Sequence, residues 1–333
     1  MRMSKKKIII NAARVVFLVL PVLWLFFVVD YKSVEAELSS VHWIWAFFLF
    51  LVIFLHFCLQ SLRFWLLMTP FCNKIKFGQF FILNWKARYY SAILPSSAGL
   101  DVSRAVLLRK HISIAETTAI SLFFRMTGVI TLVLLSIFGF FQLYSHEGIS
   151  TAAIGVALMF FGMCALMAVS LNEKASDKVL SILPQKLPKK LRNFIITSIK
   201  SMLIYQKYPK LIVINFIVSM FLHLVFMLFP ITAIYAISGE LKVIEVISFV
   251  PLIELVAASI PISPNGVGIR EGLNILFFNL IDLSPEQAFS YVALSAILYL
   301  WMFSGFFVIL FEKIRKRAKA AAAAKQVSSQ TLQ

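Results

Sequence analysis

Long apolar runs alternate with short charged connections along the chain. Runs at about 8–29, 41–68, 115–141, 151–171, 210–237 and 286–311 are each long enough to cross a bilayer as a helix. They predict six full spans. The first follows a basic head, but it is too long for the apolar core of a signal peptide and no small-residue cleavage pattern follows it, so a retained span is expected. Two further segments, 74–114 and 242–285, are apolar but interrupted midway by Pro, Gly and charge. Each predicts a re-entrant hairpin or a pair of short helices. The expected fold is an all-α polytopic membrane protein with six full spans and two broken hairpins, eight to ten helices if the hairpins are counted.

Composition supports that pattern. The chain has 333 residues, is 60% hydrophobic and only 14% charged, about half the charged share of a soluble domain. The net charge of +17 points to anionic lipid rather than nucleic acid, because Lys and Arg gather in the connections between spans. Basic residues crowd the N-terminus, the 172–210 connection and the C-terminus, while the 30–40 and 142–150 loops are acidic or neutral. Both termini are therefore expected on the cytoplasmic side of the cytoplasmic membrane. Residues 1–312 read as one membrane domain. Within it 173–208 is an amphipathic connector, with Leu191, Phe194, Ile195, Ile199, Met202 and Leu203 at helical spacing among lysines. Residues 313–333 read as a basic, then polar, tail. The cysteines Cys58, Cys72 and Cys164 show no disulfide or zinc spacing.

The two broken segments match each other. The first reads "LPSSAGLDVSRAVLLRK", the second "IPISPNGVGIREG". Pro95 and Pro261 are each followed by Ser97 or Ser263 two positions later and by Arg104 or Arg270 nine positions later. Pro264 adds a further break in the second. Each block closes on a capping box, Ser113 with Glu116 and Ser284 with Gln287. By the parity of the spans the copies enter from opposite faces, so the repeat, about 41–141 and 210–311, is inverted. Broken helices occur at membrane depth only inside protein or beside water, and a half-helix aims its free N–H groups at anions. Gly99, Gly266 and Gly268 let backbone approach a ligand. Arg104 and Arg270, placed just after the breaks, suit bidentate phosphate binding.

An Arg at such depth costs roughly 2.5–3.5 kcal/mol even on the mildest scale, so partners are expected. Asp101 for Arg104, and Glu254 or Glu271 for Arg270, are the candidates, and a purely structural ion pair is the competing role. Arg125 lies too deep in its span to be a flank residue. Arg63 is expected to snorkel to the cytoplasmic interface. Lys86 and Arg88 fit either a cavity rim or interfacial charge. His56 and His223 are expected to be satisfied core residues. No stretch outside the spans holds a soluble catalytic domain, and no P-loop, GxSxG or HExxH motif appears. No catalytic residue, cofactor or metal ligand is therefore assigned.

"LRFWLL" at 62–67, the first broken segment, "FRMTG" at 124–128 and "PISPNGVGIREG" together resemble the transmembrane, flippase-like region of lysylphosphatidylglycerol synthases, which also occurs as stand-alone membrane proteins. Against the family's usual forms, Phe64 separates Arg63 from Trp65, and Ala98-Gly99-Leu100-Asp101 replaces adjacent glycines before Asp. The resemblance implies handling of phospholipid or polyprenyl-lipid head groups across the bilayer. It does not imply lysyl transfer, which in the two-part synthases belongs to a separate soluble domain. The leading expectation is a lipid flippase or flippase-like transporter whose partners are anionic membrane lipids and envelope-biosynthesis enzymes. A membrane enzyme or accessory in lipid-linked glycan or aminoacyl-lipid synthesis is the alternative.

Overall fold

Hydrophobicity all round a helix leaves caps and breaks to set its ends, and the structure follows those signals. The computed structural model describes Lys32, Ser39 and residues 41–93, 99–143, 149–182, 188–259 and 269–315. The helices are α1 (Trp43–Met68), α2 (Phe77–Ile93), α3 (Gly99–Leu108), α4 (Ile114–Leu143), α5 (Ile149–Ser170), α6 (Glu173–Ser181), α7 (Lys189–Met202), α8 (Pro209–Ser238), α9 (Val243–Ser259), α10 (Ile269–Leu280) and α11 (Pro285–Phe303). A 3₁₀ turn, Leu203–Lys207, links α7 to α8, and helical backbone resumes over 305–315. Both expected capping boxes form. The Glu116 N–H donates to Ser113 Oγ at 3.1 Å while Glu116 Oε2 accepts from the Ser113 N–H at 2.7 Å. Ser284 and Gln287 do the same at 3.2 and 3.0 Å, with Pro285 opening α11. Gly239 ends α8 at φ 72°, a left-handed conformation that favours glycine.

The chain is an all-α polytopic membrane protein. Among the described residues α1, the Ile114–Ile137 part of α4, and α8 are long and apolar enough to cross a membrane. α5 runs where the fourth span was expected. The expected span at 8–29, and the breaks holding Pro95, Pro261, Pro264, Gly266 and Gly268, lie outside the described residues. The span expected at 286–311 is helical through Phe303 and again from Gly305, with one tight turn at Ser304 whose backbone stays in the right-handed helical region. Ser304 Oγ accepts from Trp85 Nε1 at 2.8 Å and donates to Trp301 O at 2.6 Å. The next residue, Gly305, lies so close to α2 that a Cβ there would stand 2.6 Å from Trp85 O. A side-chain bond and a backbone crossing with α2 hold the turn.

The halves 43–143 and 209–303 are packed alike. α1 and α8 pack together at the centre, and each other pairing among the eight helices of the two halves has its counterpart. α1·α2 matches α8·α9, α2·α3 matches α9·α10, and α3·α4 matches α10·α11. α1·α4 matches α8·α11, and α4·α8 matches α1·α11. Across the halves, α4·α9 matches α2·α11. The counterparts α1 and α8 run antiparallel: Trp45 meets Tyr235, His56 meets Phe226, and Arg63 bonds Asn215. Antiparallel counterparts are what an inverted repeat requires.

Two hydrophobic clusters follow from this. Leu49, Ile53 and Phe57 at the start of α1 join Phe229, Val250, Phe278 and Trp301 of the second half. Phe64, Leu67 and Met68 at its end join Phe80, Leu108, Ile120 and Phe123 of the first. The connector's apolar stripe meets the rest of the protein at its C-terminal end. Met202 is buried in the first-half cluster while Leu191 and Phe194 are exposed. α7 packs against α4, and Tyr205 stacks on Phe123 with its hydroxyl donating to Leu67 O at 2.8 Å. The turn after α7 is thus anchored in the core.

Candidate anion-binding site

Between the two clusters lies a belt of buried polar side chains, and Arg63 is at its centre. It does not snorkel: it is 1% exposed. Its Nε donates to Asn215 Oδ1 at 3.0 Å, and its Nη2 donates to Phe124 O at 2.6 Å and Thr127 Oγ1 at 2.5 Å. Asn215 Nδ2 also donates to Thr127 Oγ1 at 2.9 Å. One guanidinium thereby ties α1 to α4 and α8. Neighbouring acceptors inside the bundle satisfy its donors more cheaply than a reach to the interface. Gly128 makes room, since a Cβ there would lie 3.4 Å from Nη1. The polar residues inside apolar runs (Asn84, Thr127, Asn215) were the sequence signal for this belt.

Arg104 is brought in beside it by α3, which packs on both α2 and α4. It is 3% exposed. Its Nε donates to Asn84 Oδ1 at 2.8 Å, and Asn84 Nδ2 donates to Ser61 Oγ at 2.8 Å. The guanidinium lies 4.2 Å from the Phe64 ring and 5.7 Å from the Phe124 ring, whose face also carries Arg63 at 4.0 Å. Arg104 Nη1 is 3.6 Å from Asp101. Its Nη2 is buried with no partner. The expected Arg104–Asp101 pair is thus loose, because Asp101 faces α4 and takes Arg125 instead, from Nε at 2.9 Å and Nη2 at 2.5 Å. Arg125, half exposed, therefore enters the cluster as Asp101's closer partner. Gly99 opens α3 and is buried.

Arg88 on α2 extends the cluster. Its Nη2 bonds Gln60 Oε1, its guanidinium lies 5.2 Å from the Phe57 ring, and its Nε is buried without a partner. Lys86 is separate, paired with Glu312 at 2.6 Å. In the second half, Arg270 on α10 grips Glu254 on α9, with Nε–Oε1 at 2.6 Å and Nη2–Oε2 at 2.9 Å. Glu254 is thus Arg270's partner. The Glu271 side chain lies outside the described residues. The two halves meet at the histidines. His56 lies within electrostatic reach of both Arg88 and Arg270, and His223 within that of Arg63 and His56. Neither histidine is the fully satisfied core residue expected. Each engages one backbone group, Leu222 or Gly128, but His56 Nδ1 and His223 Nε2 are buried without a partner.

The residues in this belt include the segments that carried the family resemblance, and a family model settles the matter. The model described as the lysylphosphatidylglycerol synthase TM region matches residues 11–306. The chain belongs to that family. Neither the curated proteins nor the solved structures yield a match. As a lysylphosphatidylglycerol synthase TM region, the chain is a membrane protein related to lipid handling. Of the candidate residues on this region, the structure brings Arg104, Asp101 and Arg125 together and adds Arg63 and Arg88. It keeps Arg270 with Glu254. What the arrangement offers chemically is guanidinium N–H groups in a low-dielectric setting, where charge-assisted bonds to an anion are strongest.

Proposed function

We propose that the protein carries an anionic lipid head group, a phospholipid or polyprenyl phosphate, across the cytoplasmic membrane as a flippase-like transporter. The observation that supports it best is Arg104 Nη2, a buried guanidinium donor without a partner, on a helix too short to cross. α3 has 10 residues and α10 has 12, about 15 and 18 Å at 1.5 Å per residue, against a hydrocarbon core of about 30 Å. In this reading α2–α3 and α9–α10 are re-entrant hairpins that reach mid-membrane from opposite faces. The head group binds Arg104 and Arg125 on one side and Arg270 on the other, with Gly99, Gly266 and Gly268 allowing backbone approach. Asp101, Glu254 and Glu271 orient the arginines, and the acyl chains stay in lipid. Both termini are cytoplasmic, and enzymes of envelope biosynthesis supply or consume the lipid.

The test is translocation of head-group-labelled lipid in proteoliposomes. Arg104→Gln is expected to remove transport while thermal unfolding stays within a few degrees of wild type. Wild-type transport by that variant refutes the reading.

A further inference from the structure

The charges around Arg104 do not balance. Arg63 donates only to neutral acceptors, Asn215 Oδ1, Thr127 Oγ1 and Phe124 O. The Arg88 bond is likewise to a neutral amide, Gln60 Oε1. Arg104 bonds the neutral Asn84 Oδ1 and has Asp101 only at 3.6 Å, a carboxylate already held more closely by Arg125. Neutral acceptors satisfy N–H groups but leave the charge in place, and burying it without a counter-charge is costly. The Phe57, Phe64 and Phe124 faces soften that cost without cancelling it. Arg63 and Arg104 share the Phe124 ring, and Arg104 lies within electrostatic reach of Arg88 and Arg125. At this depth, like charges held so close call for an anion to neutralise them. Arg104 Nη2 and Arg88 Nε are the donors left for it.

Building on the lipid-phosphate reading, we infer that the site selects a head group ending in a doubly charged phosphate, a phosphomonoester or a diphosphate, over a singly charged phosphodiester, and that it rejects an aminoacylated head group. Four guanidiniums, Arg63, Arg88, Arg104 and Arg125, stand against Asp101 among the described residues, so a dianion offsets more of the positive charge than a monoanion does. A terminal phosphate also offers three acceptor oxygens against the two free oxygens of a diester, enough for forks from more than one Arg. An added lysyl group brings an ammonium into a cluster already short of negative charge, and like charge of that kind discriminates by repulsion.

The experiment is native mass spectrometry and titration of the full chain in nanodiscs at pH 8, where a phosphomonoester is a dianion. Phosphatidic acid, phosphatidylglycerol and lysylphosphatidylglycerol with identical acyl chains are compared. Phosphatidic acid is expected to bind at least tenfold tighter than phosphatidylglycerol, with the lysylated lipid weakest. Inorganic diphosphate is expected to displace it, because the head group carries the affinity. Arg88→Gln and Arg104→Gln are each expected to narrow the gap by weakening the monoester more than the diester. Equal binding of the two anionic lipids, or binding of the lysylated lipid as tight as either, overturns the charge selection and leaves the lipid-phosphate reading intact. Failure of diphosphate to displace a bound lipid also overturns it. Absence of binding by all three lipids overturns both.

Discussion

At the scale of single residues, most depends on the Arg63 guanidinium. Removing it leaves Asn215 and Thr127 facing a void within the α1, α4 and α8 contact. Arg63→Ala is expected to lower stability by about 3 kcal/mol, read as a large fall in the midpoint of thermal unfolding in detergent. Asn215→Leu leaves Arg63 Nε unpaired and is expected to cost about 1–3 kcal/mol by the same measurement. Arg104 answers differently. Its Nη2 has no protein partner to lose, so Arg104→Lys is expected to fold but to bind lipid phosphate at least tenfold more weakly, because a point charge cannot reproduce the fork. Titration of both proteins in nanodiscs checks this. Arg104, Arg125, Asp101 and Glu254 were legible from the sequence because charge inside an apolar run is expensive and therefore conspicuous. The role of Arg63 was not, since its position near a helix end suits snorkelling equally well. What decides it is three acceptors contributed by α4 and α8.

At the scale of elements, α2 and α11 cross at one narrow place. Trp85 bonds Ser304, Trp85 stacks on Trp301 at 5.1 Å, and Gly305 admits the α2 backbone. Gly305→Ala puts a Cβ against the Trp85 carbonyl and is expected to cost about 1–3 kcal/mol, with Gly305→Leu costing more. Unfolding in detergent measures both. Ser284→Ala removes a formed capping box and is expected to cost about 1 kcal/mol, so the milder change sits at the more recognisable motif. That contrast explains what could be foreseen. Capping boxes are written within four consecutive residues, as are the boundaries they impose. The turn at Ser304 depends on Trp85, more than two hundred positions away, and no local pattern announces it. The same holds for the connector, whose last apolar residues, Met202 and Tyr205, find room under α4.

At the scale of the whole molecule, the matched pairings are unequal in extent. α4 and α9 pack broadly, with Leu132, Val133 and Leu255 forming an apolar contact between them. The counterpart, α2 with α11, is the narrow crossing pinned by Trp85, Ser304 and the Lys86–Glu312 ion pair. Exchange of the two halves would make the narrow crossing broad and the broad one narrow while keeping every pair of neighbours. Spin labels placed on the exposed positions Tyr90 and Phe307, and on Leu134 and Val256, are expected to report opposite distance changes when a transported lipid is added, with one pair closing as the other opens. Changes of the same sign, or none, would exclude such an exchange.

The paired crossings also bear on how the gene can vary. Two halves packed alike are free to differ wherever they touch only lipid. If the halves exchange, they are not free at the crossings, because each surface then serves one role in the broad contact and another in the narrow one. A bulkier side chain at Leu132 or Leu255 is therefore judged against two partners, and the substitution that rescues it belongs in the opposite half. Under that exchange, variation in one half is coupled to variation in the other most tightly where α4 meets α9 and α2 meets α11.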